Sequence, residues 1–533
     1  MSKKSRNIMA GAGILALAGL IAKILSAVYR VPLQNLVGNT GFYVYQQVYP
    51  LYGIGMVLAL SGFPLFIAKL ATEFDDADTQ RFVMKRLFWL LLGLGAGGFS
   101  LIYGGAPWLS EEMGQDPQLT SVIRAVAWMF WLMPFLAVGR GYSQGQLDMG
   151  PTAVSQIVEQ LIRVTVIIGV AWFGVTHAWS NYAIGAAAMF GATIAGVVAV
   201  ACMLGPLCQV WQPLVRPISK EPTIRWSYLL RRLVREGGLL ALLAALLVLL
   251  QLVDSFSVKS LLTAHGWSNN RAEYIKGVYD RGQPLLQLGM VLATGLGTSL
   301  LPALHEHFMQ KQWVALQHDF QITIRLALVL SGVSTIGLMV IMPQVNQVLF
   351  GSREGSMALM WFVLAIVPAT LITILSSVLQ SLNRTTGLSW LIGICLLAKW
   401  GLNQWLVPDL GITGAAVSTT VALLPLLGYA LLRIPRHLWQ GWQVTNHWWI
   451  RYVWLLVSLG SLAVISRTLG DYWFGTSRLG SAVTMVITAL VGVVTFIMQT
   501  NWLGLLTIFE WRIIPKGERL YNMLKRGKTN AFR

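Results

Sequence analysis

Tyr49-Pro50-Leu51-Tyr52-Gly53-Ile54-Gly55-Met56-Val57-Leu58-Ala59 aligns without a gap on Gln283-Pro284-Leu285-Leu286-Gln287-Leu288-Gly289-Met290-Val291-Leu292-Ala293, with seven of eleven positions identical at an offset of 234 residues. One apolar window can match by chance, but two more recur at nearly the same spacing. Gly145-Gln146-Leu147-Asp148 faces Gln380-Ser381-Leu382-Asn383 at an offset of 235, and Gly185-Ala186-Ala187 faces Gly414-Ala415-Ala416 at an offset of 229. Self-similarity at a fixed spacing marks an internal repeat.

The repeated material is membrane-spanning. Of 533 residues, 55% are hydrophobic and 11% charged, with a mean hydropathy of +0.63. A soluble domain carries about 25% charged residues. About 20 apolar residues cover a bilayer core, and hydropathy predicts fourteen such spans: 8–30, 43–70, 83–106, 119–145, 152–175, 182–206, 237–262, 277–304, 322–345, 357–382, 387–407, 411–433, 447–467 and 479–501. The repeat maps spans one to six onto seven to twelve. Six is even, so both halves enter the membrane from the same side and the pseudo-two-fold axis runs along its normal. The predicted organisation is an N-terminal lobe (1–206), a basic linker (207–236, with Pro206, Pro213, Pro217 and Pro222), a C-terminal lobe (237–433), appended spans thirteen and fourteen (447–501) and a basic tail (502–533).

Loop charge orients the chain, because cytoplasmic loops collect Lys and Arg. The N-terminus, 207–236 (Arg216, Lys220, Arg225, Arg231, Arg232, Arg235), 434–446 and the tail (Arg512, Lys516, Arg519, Lys525, Arg526, Lys528, Arg533) are basic, whereas 107–118 holds Glu111, Glu112 and Asp116 with no Lys or Arg. Both termini are therefore expected in the cytoplasm. The segment 260–276, with Arg271 and Lys276, goes against the rule, and the acidic run Glu73, Asp75, Asp76, Asp78 reads as a solvated cytoplasmic loop. The net charge of +18 follows from this loop bias, and no nucleic-acid partner is expected. Cys202, Cys208 and Cys395 form neither a disulfide framework nor a metal-ligand spacing. Lys3, Lys4 and Arg6 precede an apolar run that continues to Val28, too long for a signal-peptide core, so it reads as span one.

Ionisable residues inside spans cost about 2.5–3.5 kcal/mol at a helix centre, so they face a cavity or a partner. Here they are Lys23 and Arg30 in span one, Arg140 in span four, Glu159 and Arg163 in span five, Asp254 and Lys259 in span seven, Asp280 and Arg281 opening span eight, and Lys399 in span eleven. Arg30 and Lys259 lie near span ends, where long side chains can snorkel. Glu159 and Arg163, four apart, have the spacing of an ion pair on one helix face. Asp254 can neutralise a neighbouring cation. Lys23 lies about fifteen residues into its helix, roughly 22 Å at 1.5 Å per residue, which favours a cavity. Two lobes related along the membrane normal favour a central cavity worked by rocking. Lys23, Arg30 and Arg281 are its expected cationic lining, with Asp254, Asp280, Arg140, Glu159 and Arg163 as cavity partners. Such a lining suits pyrophosphate, because Arg grips phosphate oxygens through a planar fork. Pro50 and Pro284, at matching repeat positions, are expected to bend spans two and eight. Enzyme signatures are missing, His305 and His307 do not have helical zinc spacing, and no catalytic residue, metal or cofactor is expected. Coupling to the membrane potential or a monovalent cation stays open.

Ala18-Gly19-Leu20-Ile21-Ala22-Lys23-Ile24-Leu25-Ser26-Ala27-Val28-Tyr29-Arg30-Val31-Pro32-Leu33 and Tyr45-Gln46-Gln47-Val48-Tyr49-Pro50 resemble the polysaccharide-biosynthesis (SpoVB/YtgP) branch of the MOP exporter superfamily. Tyr279-Asp280-Arg281 followed by Leu300-Leu301-Pro302-Ala303-Leu304 is similar to span eight of the MurJ-type lipid II flippases. The resemblance implies an all-α polytopic fold of MATE/MOP type. It also implies a flippase in the bacterial plasma membrane that moves undecaprenyl-pyrophosphate-linked saccharide, above all lipid II, to the outer leaflet by alternating access. Lys23 and Arg281 take the places of the family's cavity cations. Span one carries Tyr29-Arg30 where that family has an Arg-Asp pair, and Gly53–Met56 lacks the family's basic residue of span two. Spans thirteen and fourteen would extend a groove for the lipid tail. Partners implied are lipid-linked oligosaccharide, membrane lipids and cell-wall synthesis proteins. Rival readings are a flippase for another lipid-linked polysaccharide unit, a MATE-like cation-coupled drug exporter, whose site should be acidic and aromatic, and a membrane glycosyltransferase or polymerase, which would need catalytic acids on a larger outer loop.

Overall fold

The computed structural model describes residues 3–213, 225–382, 384–440, 447–513 and 517–519. Arg216, Pro217, Lys220 and Pro222 of the linker, Asn383, loop residues 441–446, and Lys516, Lys525, Arg526, Lys528 and Arg533 of the tail lie outside the described residues. Every regular element among the described residues is helical. That follows from the solvent: lipid offers no hydrogen bonds, so each span must satisfy its own backbone. Caps stand where spans begin. Asp76 accepts from the Thr79 N–H at 2.9 Å, Ser180 from Ala183 at 3.2 Å and Ser477 from Gly480 at 3.1 Å.

Twelve helical stretches among the described residues are long and apolar enough to cross a membrane. The first, Gly13–Ala71, is 59 residues long and therefore holds spans one and two. Span eight is absent from the twelve because it is divided into Asn269–Asp280, Gly282–Ser299 and Leu301–Met309. Its first break falls at Arg281, three residues before Pro284, whose ring has no N–H to give the carbonyl of Asp280. Pro50, by contrast, lies inside a continuous helix, Arg30–Val57, whose irregularities flank it at Gly38 (φ 70°) and in a wide turn at Leu58–Gly62. One loop boundary is corrected: span eight begins at Asn269, so Lys276 is a fully buried helical residue and not a loop cation. That removes half of the exception to the loop-charge rule.

Two compact units form, Met1–Asp280 with Ile392–Ala415, and Arg281–Leu391 with Ala416–Arg533. In the first unit, span two packs closely on span seven and on the opening helix of span eight. A Cβ added at Gly62 would lie 2.7 Å from the Ala241 Cβ, and one at Gly277 would lie 2.1 Å from the Asn39 carbonyl oxygen. Without a hydrophobic force between helices in lipid, such small-residue contacts supply the packing. Beyond the end of span two, Arg232 reaches Glu73 at 2.8 Å and Glu236 at 2.6 Å, while Lys69 bonds Glu236 at 2.9 Å.

In the second unit, spans thirteen (Trp448–Phe474) and fourteen (Arg478–Trp502) are bonded to span nine (Trp313–Phe350). The Tyr452 hydroxyl donates to the Leu328 carbonyl at 2.9 Å, and Asp471 accepts from Gln344 at 2.8 Å and from Arg353 at 2.9 Å. Buried Arg325 donates to Glu510 at 2.5 Å, pinning the short helix Ile508–Ile513 to span nine.

The repeat is visible in the helix breaks. Span four stops at Trp128 and carries Pro134; span ten stops at Leu364–Ala365 and carries Pro368, 234 residues later. Among the twelve stretches these two have the most buried apolar windows, at 67% and 72%. The exterior is apolar: Leu101, Trp390 and Leu432 are 76%, 81% and 86% exposed. Water would penalise such a surface, and lipid does not.

Candidate functional site

Tyr45, Tyr49 and Tyr52 recur on one face of the span-two helix at i, i+4 and i+7. Tyr29, at the break ending span one, turns its hydroxyl to that of Tyr45 at 2.9 Å. Two guanidinium groups lie among these phenols. Arg30 stands 4.4 Å over the Tyr49 ring, and Arg163 lies 5.4 Å from the Tyr29 ring and 4.9 Å from that of Tyr52. Both arginines are fully buried. Neither arginine meets a carboxylate among the described residues: Arg30 lies against the Tyr29 and Tyr49 phenols, and Nη2 of Arg163 donates to Gln160. A structural ion pair between Glu159 and Arg163 is not formed: Glu159 accepts from Arg140 of span four at 2.6 Å. Arg140 also donates to the Ser155 hydroxyl at 2.8 Å and the Ala59 carbonyl at 3.2 Å. The helix-face spacing permitted the first pairing. The approach of span four to span five decides for the second and leaves Arg163 without a carboxylate.

A second polar cluster joins spans seven and eleven within the first unit. Lys399 bonds Asp254 Oδ1 at 2.7 Å and donates to the Ala415 carbonyl at 2.7 Å. Asn403 donates to the same carboxylate oxygen at 2.9 Å, and the Tyr279 hydroxyl reaches Asp254 Oδ2 at 2.8 Å. Lys276 pairs with Asp280 at 2.6 Å and Lys259 with Glu273 at 2.9 Å. Each acid here has a cation, so the cluster carries no surplus negative charge. Lys259 is buried in its pair and does not snorkel. Lys276, Glu273, Asn403 and the four tyrosines were not among the site residues expected from the sequence. The i, i+4 spacing of Lys276 and Asp280 and the Tyr45/Tyr49/Tyr52 periodicity were the available signals.

Arg281 belongs to the other unit, where it donates to Asn346 at 2.8 Å and lies 5.1 Å from the Phe350 ring. Lys23 is exposed. No group of three or more His, Cys, Asp or Glu with metal-binding geometry occurs among the described residues. On the second unit, an apolar groove of about 590 Å³ runs between spans nine and thirteen, lined by Ile336, Met339, Val340, Leu456, Gly460 and Val464 among others.

Apolar helical spans with charged groups gathered inside define a multi-span helical membrane protein with the fold shared by MurJ and MATE structures. The chain belongs to the polysaccharide biosynthesis protein family, whose profile matches residues 8–308. It is 35% identical to the uncharacterized membrane protein YabM of Bacillus subtilis, with 99% of this chain and 98% of that protein covered. It is 24% identical to the lipid II flippase MurJ of the same organism, with 96% and 98% covered. In structure it is similar to a lipid II flippase MurJ in the inward closed conformation, with a TM-score of 0.63 at 12% identity over 93% of this chain and 98% of that one. It is also similar to an inward-facing multidrug resistance MATE transporter, with a TM-score of 0.60 at 14% identity over 79% and 96%. At those identities the two structures establish the fold alone.

Proposed function

We propose that this protein is a flippase that carries a polyprenyl-pyrophosphate-linked saccharide, in particular the peptidoglycan precursor lipid II, to the outer leaflet by alternating access in a bacterial plasma membrane. Both termini lie in the cytoplasm. The observation that carries the reading is the sign of the uncommitted buried charge. Arg30 and Arg163 have no carboxylate partner among the described residues, whereas Glu159, Asp254 and Asp280 are each held by a cation at 2.6–2.7 Å. A site for a cationic drug would need the reverse. Arginine forks match phosphate oxygens, and the apolar groove between spans nine and thirteen gives a polyprenyl chain a place to stay while its head crosses. The similarity to a lipid II flippase over nearly the whole chain supports the same substrate class.

Another lipid-linked saccharide is the second reading, favoured by the family match, which is to polysaccharide biosynthesis proteins in general. The test is to replace a cell's lipid II flippase with this gene and measure lipid II in the outer leaflet. Growth with outer-leaflet lipid II restored is expected. A stably expressed protein that restores neither refutes lipid II as the substrate. Accumulation of a different lipid-linked saccharide in the inner leaflet of a deletion strain then identifies the alternative.

A further inference from the structure

Asp254 is the centre of a buried site that the proposed substrate path does not use. Its Oδ1 takes the Lys399 ammonium at 2.7 Å and the Asn403 amide at 2.9 Å, and its Oδ2 takes the Tyr279 hydroxyl at 2.8 Å. Both carboxylate oxygens therefore act as acceptors, and so does another partner of Lys399, the main-chain carbonyl of Ala415 at 2.7 Å. A nitrogen held between two acceptors must be the donor, so position 399 supplies a full positive charge. That charge is sealed from solvent, since the Lys399 and Asp254 side chains are 0% and 1% exposed. It also ties together three separate parts of the first unit, because Asp254 lies in span seven, Lys399 in span eleven and Ala415 in the first turn of span twelve.

Stability alone is a weak reason to keep such a pair. Two apolar side chains of similar volume would serve as well or better, since neither ion would then be desolvated. In membrane transporters, a carboxylate inside a span and a main-chain carbonyl beside it are groups that hold a dissociable coupling cation. Here the same two kinds of oxygen hold an ammonium on a covalent stem. The neighbouring acids are likewise engaged, Glu273 by Lys259 at 2.9 Å and Asp280 by Lys276 at 2.6 Å.

We infer that the Lys399 ammonium is a built-in cation filling what would otherwise be a monovalent-cation site, so that Asp254 exchanges no soluble cation. The site itself does not depend on the flippase reading; its consequence for transport does. With the positive charge anchored to span eleven, a sodium or potassium gradient has nothing to act on at Asp254, and transport should run equally well without either ion. The geometry also ranks the ions that would serve if the lysine were absent. Potassium takes oxygens at nearly the same distance as an ammonium does, and lithium much closer, so potassium should fit the vacated position better.

The test uses the full-length protein in nanodiscs, with melting temperature followed in potassium, sodium, lithium and choline chloride at equal ionic strength. The wild type should melt at the same temperature in all four. Lys399→Ala should melt lower than the wild type in choline and recover saturably, by at least about 2 °C, in potassium, with lithium the least effective. Propylammonium, which returns the lost amine, should rescue it too. Lys399→Ala combined with Asp254→Asn has no carboxylate to satisfy and should be indifferent to the cation. A wild type stabilised by sodium or potassium over choline, or a Lys399→Ala protein that no alkali cation stabilises, overturns the inference; if that variant does not accumulate, the wild-type comparison decides. In proteoliposomes, wild-type transport of a prenyl-pyrophosphate lipid should be unchanged when choline replaces both alkali ions. Transport abolished by that replacement overturns the inference and leaves the flippase reading standing. The expected melting pattern in a protein that moves no such lipid upholds the site and refutes the flippase reading.

Discussion

Lys399 and Asp254 offer the sharpest energetic test of the first unit. Their side chains are 0% and 1% exposed and meet at 2.7 Å. At an effective dielectric constant near 20 the attraction at that distance is about 6 kcal/mol, set against several kcal/mol of desolvation for each ion, so the net contribution of the pair is small. Breaking it from one side is different, because the survivor stays buried with its charge, at a cost of about 3–5 kcal/mol. The two sides are not equivalent. Lys399→Met leaves the carboxylate with the amide of Asn403 at 2.9 Å and the Tyr279 hydroxyl at 2.8 Å. Asp254→Asn leaves an ammonium with the Ala415 carbonyl at 2.7 Å and no counter-charge at position 254. Asp254→Asn should therefore be the more destabilising. The double variant should be no worse than the poorer single, which gives a coupling of at least about 2 kcal/mol. Reversible unfolding in mixed micelles measures all four corners of the cycle. Effects that add to within about 0.5 kcal/mol would refute the pair as a unit.

Other expectations follow from single contacts. Gly277→Ala drives a methyl group into the Asn39 carbonyl and should reduce folded yield severely, whereas Gly104→Ala, with nothing within 4 Å, should be neutral when the two are compared by size-exclusion recovery. Arg140→Ala strands Glu159 and should cost about 3–5 kcal/mol. Glu159→Gln should cost less because Arg140 keeps Ser155 and the Ala59 carbonyl, and thermal melts will rank the two. Gly460→Trp, filling the groove between spans nine and thirteen, should slow transport of a long-chain prenyl substrate while leaving farnesyl pyrophosphate binding intact; equal transport would remove the groove from the lipid path. In a background with Cys202, Cys208 and Cys395 replaced by serine, Glu112→Cys should react with an impermeant thiol reagent from outside the cell and Asp75→Cys only after permeabilisation. The opposite pattern would invert the proposed orientation.

Much of the architecture could be read from residue order because lipid enforces a simple rule. Every span must be a helix of about 20 apolar residues, so hydropathy locates spans without knowledge of packing. The 234-residue repeat was legible for a related reason: Pro50/Pro284 recur at the spacing that Pro134/Pro368 also keep. The start of span eight was misjudged because Lys276 and Glu273 look like loop charges until their partners, Asp280 and Lys259, are in place.

The sequence alone therefore determined the class of solvent, the helical composition, the duplication and the inventory of intramembrane charges, each a property of composition or local spacing. Only the tertiary structure decided which charges cancel. Arg140 took Glu159 from Arg163, and Lys399 took Asp254 across 145 residues of chain. Ion pairing depends on distances of 2–3 Å between helices, and no local periodicity encodes which helices meet. That Arg163 lacks a carboxylate became visible only once Arg140 was seen to hold Glu159.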